Sequence, residues 1–349
     1  MRVLMIVQEL NEQSWLRGFI VGWVRALAKQ VEHVHVLALE RGQADLPENV
    51  SVQSMGKERR YTRLQELREF YRGIGRVIRD VDVIFSHMTP RYTWLAAPYA
   101  LLYRKPQMLW FTHPRVSLEL HLALACARWV TTATQNSFPI HSPKVHILGH
   151  GIDTERFSPA PEPIISDKPP LVLAVGRMTP IKNHHVLLEA AAHLKDLPVR
   201  FTIVGGIAAA GDEGYQHQLI KCRAELGLTE DQFSLIGALP PDELITLYRQ
   251  AALVTNLTPS GSFDKAALEA MLTGTPLIAI NPAFRPLWGE HAEQLQVSED
   301  PTEIAACIRK LLTLSPERRS AIGADLCQRT AEAHGLDRLM RHMVGLMMG

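Results

Sequence analysis

The stretch "GRMTPIKNHH", residues 176–185, brings two cations, Arg177 and Lys182, into a turn that follows the apolar run "LVLAV" (171–175) and opens a helical segment. Such a turn gathers the unpaired backbone N–H groups and the positive dipole end of the helix it starts, so the added cations make it a candidate phosphate site. The competing reading is a basic surface loop that serves solubility. A second turn of the same kind lies in "TPSGSFDKAALEAMLTGTPLIA" (258–279). Pro259, Gly261 and Ser262 keep its backbone open, Asp264 stands where an N-cap belongs, and the compact helix that follows ends at Gly274 and Pro276. Glu269, about one turn into that helix, is a carboxylate behind a phosphate site, which suits a ribose diol because it can accept from both hydroxyls. The plainer reading makes it a solvated helix residue.

These turns need a scaffold of parallel strands and crossover helices. "RVLMIV" (2–7), the helical spacing of 19–31 and "HVHVLAL" (33–39) spell strand, helix, strand, and apolar runs at 81–86, 107–112, 129–134 and 145–149 continue the alternation. The expected fold is α/β, with a doubly wound first domain over 1–157. "SPAPEPIISDKPP" (158–170) carries five prolines in thirteen residues and reads as a linker. The rhythm restarts at 171 and runs to 329, giving a second Rossmann-like domain. Two such domains in tandem are expected to face each other across a cleft, where open α/β sheets bind ligands. An amphipathic segment, "GLDRLMRHMVGLM" (335–347), closes the chain.

Composition excludes several classes. Of the 349 residues 46% are hydrophobic, enough to fill two cores, and Lys+Arg 37 against Asp+Glu 36 leaves a formal charge of +1, so no global field recruits nucleic acid. Four scattered cysteines, without a CxxC pair, suit a reducing cytoplasmic setting. No apolar run is long enough to span a membrane. Asp80 and Asp82 spell a DxD but precede the strand "VIFS", so they read as caps and no metal is assigned. Residues 57–79 hold eight basic and three acidic side chains interleaved with Leu64, Leu67 and Phe70. They read either as a solvated helix face or as a peripheral contact with the inner face of a membrane.

The ordered set "VGRMTPIK" (175–182), "FTIVGG" (201–206), "FSLIGALPPDELITLYRQAALVTNLTPS" (233–260) and "SFDKAALEAMLTGTPLIA" (262–279) resembles the donor domain of retaining GT-B glycosyltransferases of family 4. Gly18, "WFTH" (110–113) and "GHGIDTERF" (149–157) extend the resemblance more loosely into the first half. It implies two Rossmann-like domains facing each other, a terminal segment 330–349 that crosses back to the first, and metal-independent transfer of a hexosyl or related group from a nucleotide-diphosphate sugar, with no cofactor, to a sugar, lipid-linked or small-molecule acceptor. On this resemblance Arg177 and Lys182 hold the diphosphate and stabilise its departure. Glu269 holds the ribose, and Gly176, Gly205 and the stretch Gly261, Ser262, Phe263, Asp264 and Lys265 cradle phosphates and sugar. Leu239 lies at the base, Gly18 approaches the phosphates from the first domain, and His113 faces the transferred sugar, while His150 touches the ligand or orders its loop. One position departs from the pattern: eight residues before Glu269, where the family places a glutamate on a donor-sugar hydroxyl, stands Gly261. That leaves a catalytically silent sugar-nucleotide binder as the alternative, and gives Asp264 two roles to choose between, helix cap or sugar contact. A dinucleotide oxidoreductase is set aside because the first turn, "QELNEQSWLRG" (8–18), lacks GxGxxG.

Overall fold

A computed structural model describes residues 1–14, 17–162, 164, 167–207, 212–259 and 263–349. In chain order the first part runs β1 (Arg2–Leu10), α1 (Phe19–Ala28), β2 (His33–Arg41), β3 (Val50–Ser54), α2 (Arg63–Val77), β4 (Val83–His87), α3 (Pro90–Leu102), β5 (Gln107–Trp110), α4 (Leu118–Cys126), β6 (Trp129–Thr132) and β7 (Val145–Ile147). There follow β8 (Leu171–Val175), α5 (His184–Ala192), β9 (Arg200–Val204), α6 (Asp212–Glu225), β10 (Phe233–Ile236), α7 (Pro241–Gln250), β11 (Leu253–Asn256), α8 (Lys265–Leu272) and β12 (Leu277–Ala279). The chain ends with α9 (Arg285–Trp288), α10 (Ala292–Leu295), α11 (Pro301–Thr313), α12 (Pro316–His334) and α13 (Leu336–Met348).

Two compact units result, one of Met1–Asp153 with His334–Gly349, the other of Thr154–Ala333. The divisions at 153/154 and 333/334 differ from the 157/158 expected from the proline-rich run and the 329/330 implied by the resemblance. Ser158 shows why: its carbonyl accepts from Arg249 Nε at 2.8 Å, which fastens the start of that run to the second unit.

The first unit holds a seven-stranded parallel sheet in the order β3-β2-β1-β4-β5-β6-β7. Alternation along β1 sorts its core into two layers. Val3, Met5 and Val7 pack with α1 and with Leu339, Met340 and Met343 of α13, whereas Leu4 and Ile6 pack with Phe70 and Ile74 of α2 and Ala96 of α3. The apolar stripe of α13 thus belongs to the first unit's core. Thr62 and Gln65 form a capping box that fixes the start of α2. Asp82, at the amino end of β4, accepts from Arg2 N at 2.7 Å, so the second acid of the DxD ties the edge of β1.

The second unit holds a five-stranded parallel sheet in the order β10-β9-β8-β11-β12. Its connections reverse direction between β8 and β11. A crevice therefore opens at the carboxyl ends of these two strands, the place where doubly wound sheets accept ligands.

Candidate nucleotide site in the second unit

The crevice is lined by Ala174, Lys182, His184, Thr255, Asn256 and Thr258, among others. β8 delivers Lys182 through a short 3-10 turn at Pro180–Lys182, and β11 delivers Asn256 and Thr258 from the other side. Asn183, between that turn and α5, adopts a left-handed backbone (φ 51°), which asparagine tolerates better than most residues. Its side-chain amide does not cap α5 but donates to Leu257 O at 3.1 Å, fastening the β8 turn to the end of β11. The hydroxyl of Tyr215 then accepts from His185 N at 3.3 Å and supplies the missing cap. Gly176 and Gly205 meet where the turns after β8 and β9 touch, with Gly176 N donating to Val204 O.

His184 is buried beneath the turn, and its Nε2 lies 3.2 Å from Arg177 O. Burial is the main reason its pKa falls to about 4; the bond to Arg177 opposes the fall, and nearby Lys182 adds to it. The neutral ring therefore carries its proton on Nε2 and donates it to the Arg177 carbonyl. Arg177 itself is exposed, and its side chain forms no ion pair with any described residue.

Lys182 behaves differently. Its Nζ makes an ion pair with Asp264 Oδ2, and the same oxygen accepts from Asn256 Nδ2 at 2.9 Å. The Lys182 and Asp264 side chains are only 14% and 17% exposed. Asp264 does occupy the N-cap position of α8, with an extended backbone, and its carbonyl accepts from Ala267 N and Leu268 N. Its carboxylate makes no capping bond. Of the two roles the sequence leaves open for Asp264, the side-chain cap is not formed: a cation and an amide reach the carboxylate first, and a charge-assisted bond outweighs a cap.

Glu269, anticipated as either ribose ligand or solvated residue, is buried on α8. Lys265 Nζ stands 3.5 Å from Oε1, and the fully buried Tyr248 hydroxyl donates to Oε2 at a long 3.5 Å. Burial raises the carboxyl pKa, and Lys265 pulls it partly back. The same burial, with the glutamate's charge beside it, pushes the Tyr248 phenol well above its usual range.

Leu239 is half-buried in the stretch after β10, and Phe263 packs edge-on against Phe284 with ring centroids 5.0 Å apart. Gly261 and Ser262 lie outside the described residues. In the first unit, Gly18 is the N-cap of α1, and a β-carbon on it would stand 2.6 Å from Ser14 O. His113 is exposed and accepts from Arg115 N at 3.0 Å. His150 N donates to His334 Nδ1 at 3.1 Å, a bond that orders its loop. A larger cavity of about 540 Å³ lies in this unit beside Glu12, Arg41 and Asp45. Glu12 is already forked onto Arg25 there, so no surplus of cations marks it as a phosphate site.

Sequence reasoning passed over Asn256, Asn183 and His184. The polar Asn256 in an otherwise apolar strand run was the available signal: it is buried, and its Oδ1 has no hydrogen-bond partner among the described residues. Thr255 Oγ1 beside it and Thr179 Oγ1 on the β8 turn share that condition. Unsatisfied buried polar atoms around a crevice bearing cations are what a polar ligand would complete.

Residues 158–325 match the family model for glycosyl transferases group 1. Among curated proteins, the D-inositol 3-phosphate glycosyltransferase of Corynebacterium urealyticum is 31% identical over 158 residues, 42% of this chain and 37% of that protein. Its counterpart in Frankia alni is 33% identical over 220 residues, 57% of this chain and 53% of that protein. The chain thus matches about half or less of the length of these relatives. Over its whole length it is similar to the structure of Anabaena Alr3699/HepE in complex with UDP and glucose, with a TM-score of 0.75, 17% identity and coverage of 100% and 99% of the two chains. Sucrose-phosphate synthase from Thermosynechococcus elongatus gives a TM-score of 0.73 at 17% identity, over 99% and 98%. The two parallel α/β sheets are those of the GT-B fold.

Proposed function

From a chain whose residues 158–325 match the family model for glycosyl transferases group 1, we propose a retaining, metal-independent glycosyltransferase that takes its sugar from a nucleotide-diphosphate donor. The observation that carries this reading is the cationic turn after β8, with Arg177 and Lys182, placed at the strand reversal beside the start of α8. Charge develops on the departing diphosphate as the anomeric bond breaks. Two cations and the positive end of α8 stabilise that charge, the task a divalent ion performs in other transferases. The acidic pair Asp80 and Asp82 gives no competing metal reading, because it sits at the amino end of β4, away from the carboxyl ends where the loops converge.

Glu269 would take the ribose hydroxyls, Leu239 the base, and His113 the sugar being transferred. For the retained stereochemistry we favour attack from the leaving-group face, with the departing phosphate taking the acceptor's proton. The D-inositol 3-phosphate transferases among the relatives make a phosphorylated polyol a reasonable first acceptor to try, and UDP bound to Anabaena HepE makes UDP-sugars the first donors. No described helix is long and apolar enough to cross a membrane. We read the protein as cytoplasmic, with peripheral contact to anionic lipid through residues 57–79.

The decisive experiment incubates the protein with a panel of UDP-, GDP- and ADP-sugars and candidate acceptors, with and without chelator, and identifies products by mass. A product formed equally well in chelator, with the anomeric configuration of the donor, supports transfer, metal independence and retention together. An absolute need for added magnesium or manganese removes metal independence, and an inverted product removes retention. Binding of a sugar nucleotide without turnover on any acceptor favours the catalytically silent alternative, which the glycine at 261 motivates.

A further inference from the structure

The cation best placed to meet a diphosphate is already taken. Lys182 Nζ is held by Asp264 Oδ2 and lies 3.4 Å from Thr258 Oγ1, while Asn256 Nδ2 steadies the same carboxylate oxygen. The pair is mostly shielded from solvent, so its attraction is screened far less than that of a surface ion pair. A phosphate that reached Lys182 with Asp264 in place would share one ammonium with a carboxylate, and like charges at such range repel strongly.

We propose that Asp264 is a specificity-determining residue that competes with the donor's phosphates for Lys182, so that only a ligand able to displace this carboxylate is held. The inference rests on the reading of the crevice as a diphosphate site. Two features make the displacement feasible. The Asp264 backbone, at φ −75° and ψ 123°, already has the extended N-cap conformation. A side-chain rotation alone therefore carries the carboxylate from Lys182 toward the amides of its own helix, a second seat that the sequence marks out and the pair with Lys182 leaves unused. Arg177, which pairs with no described residue, is meanwhile free to receive the incoming charge first. The site thus exchanges one anion for another instead of filling an empty cationic cradle, and an uncharged ligand gains nothing from the exchange.

The test measures UDP and uridine binding by calorimetry to wild type, Asp264→Asn, Lys182→Ala and the double variant. Each is first checked for native melting temperature and far-ultraviolet spectrum. Asparagine keeps the size of the side chain and its capping ability but removes the competing charge. The expected result is UDP binding about tenfold tighter in Asp264→Asn, the equivalent of one charge-assisted contact, with uridine unchanged. Lys182→Ala should then cost UDP more in the Asp264→Asn background than in wild type. UDP affinity that is unchanged or weaker in a natively folded Asp264→Asn overturns the proposal, as does an equal gain for uridine, which would reflect a looser crevice. The outcome for Lys182→Ala keeps the two ideas apart. If, in the Asp264→Asn background, it binds UDP as Asp264→Asn alone does, the diphosphate reading itself has failed; if it loses UDP there while Asp264→Asn gains none over wild type, only the competition has.

Discussion

Gly205 lies so close to Gly176 that a β-carbon built on it would stand 1.8 Å from the Gly176 carbonyl oxygen. No flexible side chain can yield there, because the obstacle is the backbone leading into the Arg177 turn. Gly205→Ala must push the turns after β8 and β9 apart. The expected loss is about 1–3 kcal/mol of stability, typical of overpacking, read as a lowered urea midpoint. Nucleotide affinity should fall as well, since Arg177 and Lys182 ride on the displaced turn. A variant with native stability and native UDP binding would show that the contact is slack.

Glu269 sets stability against function. Its carboxyl is buried and its pKa raised by that burial, with Lys265 opposing. For an acid raised above its unfolded value, the stabilising contribution is present below the unfolded pKa, near 4.5, and is lost as pH rises through the folded one. Glu269→Gln should therefore melt higher than wild type at pH 8 and show no such gain at pH 4. If the carboxylate holds the ribose, the same variant should lose about 1.5–3 kcal/mol of donor binding. A gain in melting temperature with full donor affinity would leave Glu269 a burial cost without a ligand.

How far the sequence discloses this molecule depends on the range of the interactions concerned. β1 and β8 are legible because continuous apolar runs bounded by turn residues are what a strand buried on both faces requires, and the stripe of α13 is legible from its spacing. Asp264 shows where local reasoning stops. Its position at the start of α8 follows from helix-start signals, but the fate of its carboxylate is decided by Lys182, 82 residues earlier in the chain. Asn183 and His184 were opaque for the same reason: the partners that give them purpose, Leu257 O and Arg177 O, are backbone atoms without a sequence signature. The 158–170 run reads as a linker from its prolines alone, whereas the contact that fastens its start involves Arg249 on another element.

Two buried histidines predict acid sensitivity. His184 in the second unit and His334 in the first each have a pKa lowered to about 4, chiefly by burial; Lys182 reinforces this at His184, and Arg338 does so at His334. A base depressed below its unfolded value of 6.5 contributes stability that is fully present above 6.5 and is lost as pH falls toward the folded value. Each contributes on the order of 3 kcal/mol at neutral pH relative to the acid limit. Urea midpoints should decline between pH 7 and pH 5, before most carboxylates titrate. The decline should be shallower in His184→Gln, whose amide can still donate to Arg177 O. Parallel pH slopes in wild type and variant would show that His184 is protonated in the fold without penalty.

The last prediction concerns the surface of α2. Arg63, Arg68, Arg72 and Arg76 are all exposed there, and Leu64 beside them is 79% exposed. α3 packs alongside through Tyr71 and Tyr99, and its end presents Leu101 and Leu102, 79% and 75% exposed, with Arg79 stacked over Tyr103. Few of these cations are neutralised locally; Arg72 meets Glu69 at 3.5 Å, an exposed pair of little energetic weight. Eight basic against three acidic residues over 57–79, in a chain whose formal net charge is +1, concentrate on α2 and the residues that flank it a positive charge that the rest of the molecule offsets. Exposed leucines among arginines suit an anionic lipid surface, where each cation near the headgroups contributes about 1 kcal/mol and apolar side chains enter the boundary. The protein should sediment with phosphatidylglycerol vesicles at low salt, and not with phosphatidylcholine. Arg68→Glu with Arg72→Glu should abolish this while leaving melting temperature and UDP affinity unchanged, and Leu101→Ser with Leu102→Ser should weaken it. Recovery in the supernatant at low salt, or pelleting that ignores lipid charge, would return α2 to the role of a solvated helix face.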